Sequence, residues 1–142
     1  MSGPSVSSPV ELCRLAPIDP EKRLALSGEL GGHLDYDEIA HTAILGRVPI
    51  PEDTPAVAIV SGGSSDVRVA REAARTLQYY GKAAREIYDV GVAGLWRLLE
   101  HVDELREMDI VITVAGMEGT LPSVVGGLVP GLVIAVPVAT GY

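Results

Sequence analysis

The feature that most narrows the fold is a change of character at residue 56. From there the chain alternates short apolar runs with segments of helical period, the runs being 56–60 (AVAIV), 109–114 (DIVITV) and 132–136 (LVIAV). Uninterrupted runs of this length mark strands buried on both faces, as in parallel sheets, whereas a strand with one wet face alternates. Residues 85–90 read as a further strand between the first two runs. Ala70, Ala73, Ala74, Leu77 and Tyr80 recur on one side of a helix that begins after Asp66 and stops at Gly81, with Arg68, Arg71, Glu72 and Arg75 on the other side. A second helix is expected over 93–107, with Trp96 in the core and His101 on the solvated face, and a third has Pro122 in its first turn. This spacing specifies an α/β domain of the flavodoxin-like, doubly wound kind: a parallel sheet in three layers with strand order 2-1-3-4. Strands one and three are then neighbours whose chains leave to opposite faces, so the loops 61–66 and 115–119 form the crevice where such sheets bind ligands.

Composition fits one such domain. The 142 residues suffice for one hydrophobic core, and with no Phe and 4% aromatic residues that core must be built from Val, Ala, Leu and Ile. Eleven basic against nineteen acidic residues, a formal charge of -8, argue against a nucleic-acid or anionic-membrane surface. The single cysteine, Cys13, allows neither an internal disulfide nor a cysteine cage for a metal, and no pair among His33, His41 and His101 has ligand spacing. The opening residues lack the basic and apolar regions of a secretory signal. Glu118 is the only ionisable side chain between Ile110 and Tyr142, yet Gly and Pro interrupt every apolar run there before the ~20 residues of a spanning helix. A cytoplasmic protein that engages neither membrane nor nucleic acid is the expectation. Residues 1–55 hold most of the ten prolines and show no sustained period, so they read as an irregular arm with a short strand or turn at 44–48 and a linker at 49–55, ahead of a domain spanning 56–142.

The candidate chemistry lies on the two crevice loops. The first, SGGSSD at 61–66, offers backbone N–H groups, two hydroxyls and a helix start, which suit an anion such as phosphate. It has neither the lysine of a Walker loop, nor the dinucleotide glycine spacing, nor a nucleophile elbow. The alternative is a tight turn at Gly62 and Gly63 with Ser65 or Asp66 capping the helix. The second, AGMEG at 115–119, carries Glu118 directly after a strand expected to be buried. It is either a turn carboxylate facing water or, beside an anion site, a general acid or base.

On these residues a resemblance becomes specific. The segments 61–77 (SGGSSDVRVAREAARTL), 89–99 (DVGVAGLWRLL), 114–129 (VAGMEGTLPSVVGGLV) and 133–142 (VIAVPVATGY) resemble the C-terminal domain of the LarB family. These are the pyridinium-3,5-biscarboxylic acid mononucleotide synthases that begin biosynthesis of the nickel-pincer nucleotide. That domain is similar in turn to the octameric PurE-type phosphoribosylaminoimidazole carboxylases. The likeness covers about 34–142 and is tightest from Ser61 onward. It implies nicotinic acid adenine dinucleotide as the bound nucleotide, carbon dioxide or bicarbonate as co-substrate, and cleavage of the phosphoanhydride with release of AMP. No cofactor is fixed, a magnesium ion is optional, and a homo-oligomer, an octamer in the relatives, is the expected assembly. Ser64, Ser65 and Asp66 match the family's ligand-cradling turn, Gly62, Gly63, Gly116 and Gly119 complete the binding positions, and Glu118 matches its acidic residue, suited to proton transfer.

Two departures shape the expectation. The family's cysteine nucleophile lies on a segment beyond the Gly141 and Tyr142 pair, and Cys13 does not match its motif, so these 142 residues are expected to bind the dinucleotide weakly without turnover. The imidazole carboxylases' S-A-H-R histidine has no counterpart in 90–94. A purine carboxylase or mutase is the runner-up, and a non-catalytic nucleotide-binding module that forms oligomers is the alternative of a different class.

Overall fold

The computed structural model describes residues 14–30, 34–46, 50–51, 54–116 and 119–139. Cys13, His33 and Glu118 lie outside them. The second half of the chain forms a four-stranded parallel sheet from β4 (Val57–Ser61), β5 (Ala84–Ile87), β6 (Ile110–Ala115) and β7 (Leu132–Pro137), in the order β5-β4-β6-β7. Counted along this half, that is the expected 2-1-3-4. Val57 stands opposite Ile110 and Ser61 opposite Val114, so β4 and β6 end level with one another.

Helices cover both faces, and the strand residues divide between them by alternation. Ala58, Val60, Val111 and Ala115 pack with Leu98, Leu105, Leu121 and Val125 from α3 (Leu95–Leu99), α4 (Val102–Arg106) and α5 (Thr120–Leu128). Ile59 and Val114 pack on the opposite face with Ala70 and Ala74 of α2 (Val67–Tyr79). Full burial of one such Leu or Ile contributes about 1.5–3 kcal/mol. Gly81, with φ 72, closes α2: its N–H donates to the Gln78 carbonyl and that of Lys82 to the Leu77 carbonyl, both at 2.9 Å. On the edge strand β7, Leu132 and Ile134 remain 59% and 41% exposed.

Four expectations about the helices need correction. The helix over 93–107 is broken into a 3₁₀ turn at Val92–Gly94 followed by α3 and α4. At the break the His101 N–H turns to the Leu98 carbonyl at 3.0 Å, and its own carbonyl accepts from Leu105 at 2.9 Å. His101 is thereby half-buried, with Nδ1 3.6 Å from Glu104 Oε2, and not part of a solvated face. Leu98 and Leu105 take the inward positions of the two short helices, which leaves Trp96 65% exposed and not in the core. Tyr80, expected on the inward stripe of α2, is its exposed C-cap.

The arm is the largest correction. Where an irregular arm was expected, β1 (Arg14–Pro17), β2 (Leu34–Asp37) and β3 (Thr42–Leu45) form an antiparallel sheet in the order β1-β3-β2, with α1 (Pro20–Leu30) between β1 and β2 in the chain. Strands of four residues are too short to display a period, and the strand read at 44–48 begins two residues earlier in the structure. This sheet reaches the outer side of α2, where Arg71 and Arg75 are ion-paired. Arg75 is 3% exposed, with Nη1 donating to Asp35 Oδ2 at 2.9 Å and Nη2 to the Asp35 carbonyl at 3.0 Å. Arg71 donates from Nε to Asp37 Oδ2 at 2.8 Å and from Nη1 to Glu86 Oε1 at 2.6 Å. The Tyr88 hydroxyl donates to the other Glu86 oxygen. Burial alone would raise the Asp37 pKa, but the Ala40 N–H and the Arg71 guanidinium outweigh it and hold the carboxyl below its ordinary value. Burial likewise opposes the Arg71 charge, and Asp37 and Glu86 override it, while burial and Glu86 together push the Tyr88 phenol up. Among the described residues no helix is long and apolar enough to cross a membrane, and no group of three His, Cys, Asp or Glu could hold a metal ion.

Candidate functional site

The parallel strands deliver three loops to one end of the sheet. After β4, the Gly62 N–H donates to the Val114 carbonyl at 2.9 Å, tying the first loop to β6, and a Cβ on Gly62 would stand 3.4 Å from that of Ala115. The chain then makes a 3₁₀ turn at Ser64–Asp66 and enters α2. Ser64 and Ser65 are exposed. Asp66 is 5% exposed; its Oδ2 accepts the Gly63 N–H at 2.9 Å, and its buried Oδ1 has no partner. It therefore closes the turn behind it, and α2 starts with no side-chain cap. The tight turn of the alternative reading is thus present, and Asp66 closes it from the third position of the 3₁₀ turn in place of capping α2.

The second loop leaves β6 at buried Ala115. The Gly119 N–H donates to the Gly116 carbonyl at 3.2 Å, and Gly119 is the N-cap of α5 with φ 63, a left-handed backbone suited to glycine. Gly116 and Gly119 bracket the two positions, 117–118, that lie outside the described residues. Adjacency of β4 and β6 brings Gly62, Gly63, Ser64, Ser65 and Asp66 to the same end of the sheet as Gly116 and Gly119, with α2 and α5 on opposite faces.

A third loop, after β5, stands outside the sequence-derived set. The Asp89 N–H donates to Ser61 Oγ at 3.2 Å and the Val90 N–H to the Ser61 carbonyl at 3.0 Å. A Cβ on Gly91 would meet the Gly62 carbonyl oxygen at 2.5 Å, so only glycine allows this approach of the two backbones. Asp89 adopts φ 58, a conformation that Asp and Asn tolerate best among residues with a side chain. The sequence signal was the Gly91 and Gly94 pair directly after a strand, which marks close backbone contact.

Chemically, the first loop offers hydroxyls and backbone donors to an anion and, from Asp66, one carboxylate oxygen that an anion cannot satisfy but a hydroxyl can. Residues 56–142 match the AIR carboxylase family. The chain belongs to that family. An uncharacterized protein of Methanocaldococcus jannaschii is 47% identical over 88 residues, 61% of this chain and 34% of the relative. The N5-carboxyaminoimidazole ribonucleotide mutase of the same organism is 35% identical over 85 residues, 58% of this chain and 52% of that protein. The chain thus spans between a third and about half of the length of these curated relatives. The AIR carboxylase match begins just ahead of β4 and takes in all three crevice loops, while the antiparallel sheet precedes it.

Proposed function

We propose that this chain binds a nucleotide in the crevice between the 62–66 turn and the 116–119 loop and serves in carboxylation of its ring. The observation that carries this is Asp66, whose ionisable side chain is nearly buried in the same turn as the exposed Ser64 and Ser65, with one oxygen unpaired. A simple phosphate would gain nothing from that carboxylate. A sugar phosphate supplies both kinds of group: an anion for the Ser64 and Ser65 hydroxyls and the turn's backbone, and a hydroxyl to pair with Asp66 Oδ1.

Nicotinic acid adenine dinucleotide, with carbon dioxide or bicarbonate as co-substrate, is the substrate we favour. The motifs at 61–77 and 114–129 resemble the LarB domain, and 90–94 lacks the histidine of the imidazole carboxylases. A cationic pyridinium must be made electron-rich by an added nucleophile before it attacks carbon dioxide, and a base must then take the ring proton. Glu118 is our choice for that base, so Glu118→Gln should leave nucleotide affinity little changed while lowering any carboxylation rate by ~10²- to 10⁴-fold. The second reading, a carboxylase or mutase of aminoimidazole ribonucleotide, is favoured by the relative named as such a mutase. Self-association belongs to the same proposal, supported by the exposed Leu132 and Ile134 of β7, and light scattering showing a monomer at high concentration would remove it.

Calorimetry with the two substrates tests the choice. Tighter binding of nicotinic acid adenine dinucleotide than of aminoimidazole ribonucleotide is expected. The reverse preference would install the purine reading, and binding of neither would remove both.

A further inference from the structure

The loop after β5 also presents Arg97, on α3, whose surroundings differ from those of the other surface ion pairs. Its guanidinium lies against Gly94, where a Cβ would meet Nη2 at 2.7 Å and Nε at 2.8 Å. Nη1 donates to Asp89 Oδ2 at 2.8 Å, while Nε is buried without a partner. Asp89 and Val90 are anchored on Ser61, and Gly91 abuts Gly62. The Gly94 N–H donates to the Gly91 carbonyl at 2.9 Å. Contacts therefore run without interruption from the Gly62 turn to the Arg97 fork. A solvent-exposed Arg–Asp pair by itself contributes little and needs no backbone cut back beneath it. Here the pair fixes a planar cation, with donors to spare, beside the turn that we assign to a sugar phosphate.

We propose that Arg97 is a second anion-binding group, positioned by Asp89, that takes the distal phosphoryl group of a nucleoside diphosphate or dinucleotide whose first phosphate sits at the 62–66 turn. Ser61 and Gly62, which open the first loop, are in direct contact with Asp89 and Gly91 of the loop that leads to Arg97, so the two anion-binding groups stand on neighbouring loops at one end of the sheet. This rests on the nucleotide reading above and adds to it a preference for diphosphates.

The probes are AMP and ADP, read by calorimetry and by the fluorescence of Trp96, the only tryptophan, whose ring centroid lies 5.9 Å from Arg97 Cζ. The wild type should bind ADP about tenfold more tightly than AMP. Arg97→Gln should erase that difference without changing AMP affinity. Asp89→Asn, which suits the left-handed backbone, removes the pair's charge but leaves the cation, so it should retain a preference for ADP. Equal wild-type affinities for AMP and ADP, or the same loss in Arg97→Gln and Asp89→Asn, would overturn the clamp and leave the nucleotide reading standing. Failure of the wild type to bind either probe would overturn both.

Discussion

The parallel sheet buries Ala58, Val60, Val111 and Val114 completely beneath helices on its two faces, whereas the antiparallel sheet meets α2 through Arg71 and Arg75 reaching to Asp37 and Asp35. One attachment is made of apolar area, which is insensitive to pH; the other adds partly desolvated charges, sensitive to pH and salt, to the buried Ala43 and Ile44 of β3. The crevice loops belong to the first kind of structure. They spring from strands with fully buried side chains, and Ser61, itself buried, holds two of the loops together. The N-terminal sheet should therefore loosen under conditions that leave the crevice intact.

The largest effect expected comes from the parallel core. Leu98→Ala removes a fully buried side chain between α3 and the sheet and should cost about 2–5 kcal/mol in chemical denaturation, with crevice and core melting together. Arg71→Met leaves Asp37 and Glu86 facing one another without a cation and should cost about 2–3 kcal/mol. That loss should be local: hydrogen exchange should quicken in β2 and β3 while β4 and β6 stay protected. Exchange rising equally in all four strands would show that the two attachments are one cooperative unit.

Acid should act in the same direction. The folded pKa of Asp37 lies below its ordinary value of 3.8, so its contribution is fully present above that pH and is lost as pH falls through the folded value. The stability gap between the wild type and Asp37→Asn should hold steady at neutral pH and narrow below the ordinary aspartate value, as read by denaturation at stepped pH. The smallest effect belongs to Lys22, whose pairing with Asp19 at 3.7 Å is largely exposed on both sides. Lys22→Ala should change stability by less than about 0.5 kcal/mol.

Legibility in the sequence follows the same division. The run at 56–60 announced β4 because a strand buried on both faces must be continuously apolar, the equally apolar run at 132–136 marked β7 although that edge strand is partly exposed, and Gly81 marked the end of α2 by its backbone conformation. The burial of Arg75 was not legible because helical period reports only which side is polar, and a polar side can be buried when a separate sheet supplies a carboxylate forty residues away in the chain. The break at His101 has no Gly or Pro to announce it, so Trp96 was assigned to the core by a continuous period that the backbone does not keep. In the crevice, the glycines and serines of 61–66 were readable from a run ending in a Gly pair, but the contact of Gly91 with Gly62 joins loops after two different strands and depends on the strand order.

The central claim is that Asp66 reads a sugar hydroxyl beside the phosphate held by its own turn. Calorimetry of AMP and of 2′,3′-dideoxy-AMP on the wild type and Asp66→Asn tests it directly. The wild type should prefer the ribonucleotide by about tenfold or more, the worth of one hydrogen bond to a charged acceptor, and in Asp66→Asn, which keeps the shape but loses the charge, that preference should shrink severalfold. Equal affinity of the wild type for the two nucleotides, or a ribose preference undiminished in Asp66→Asn, would contradict it.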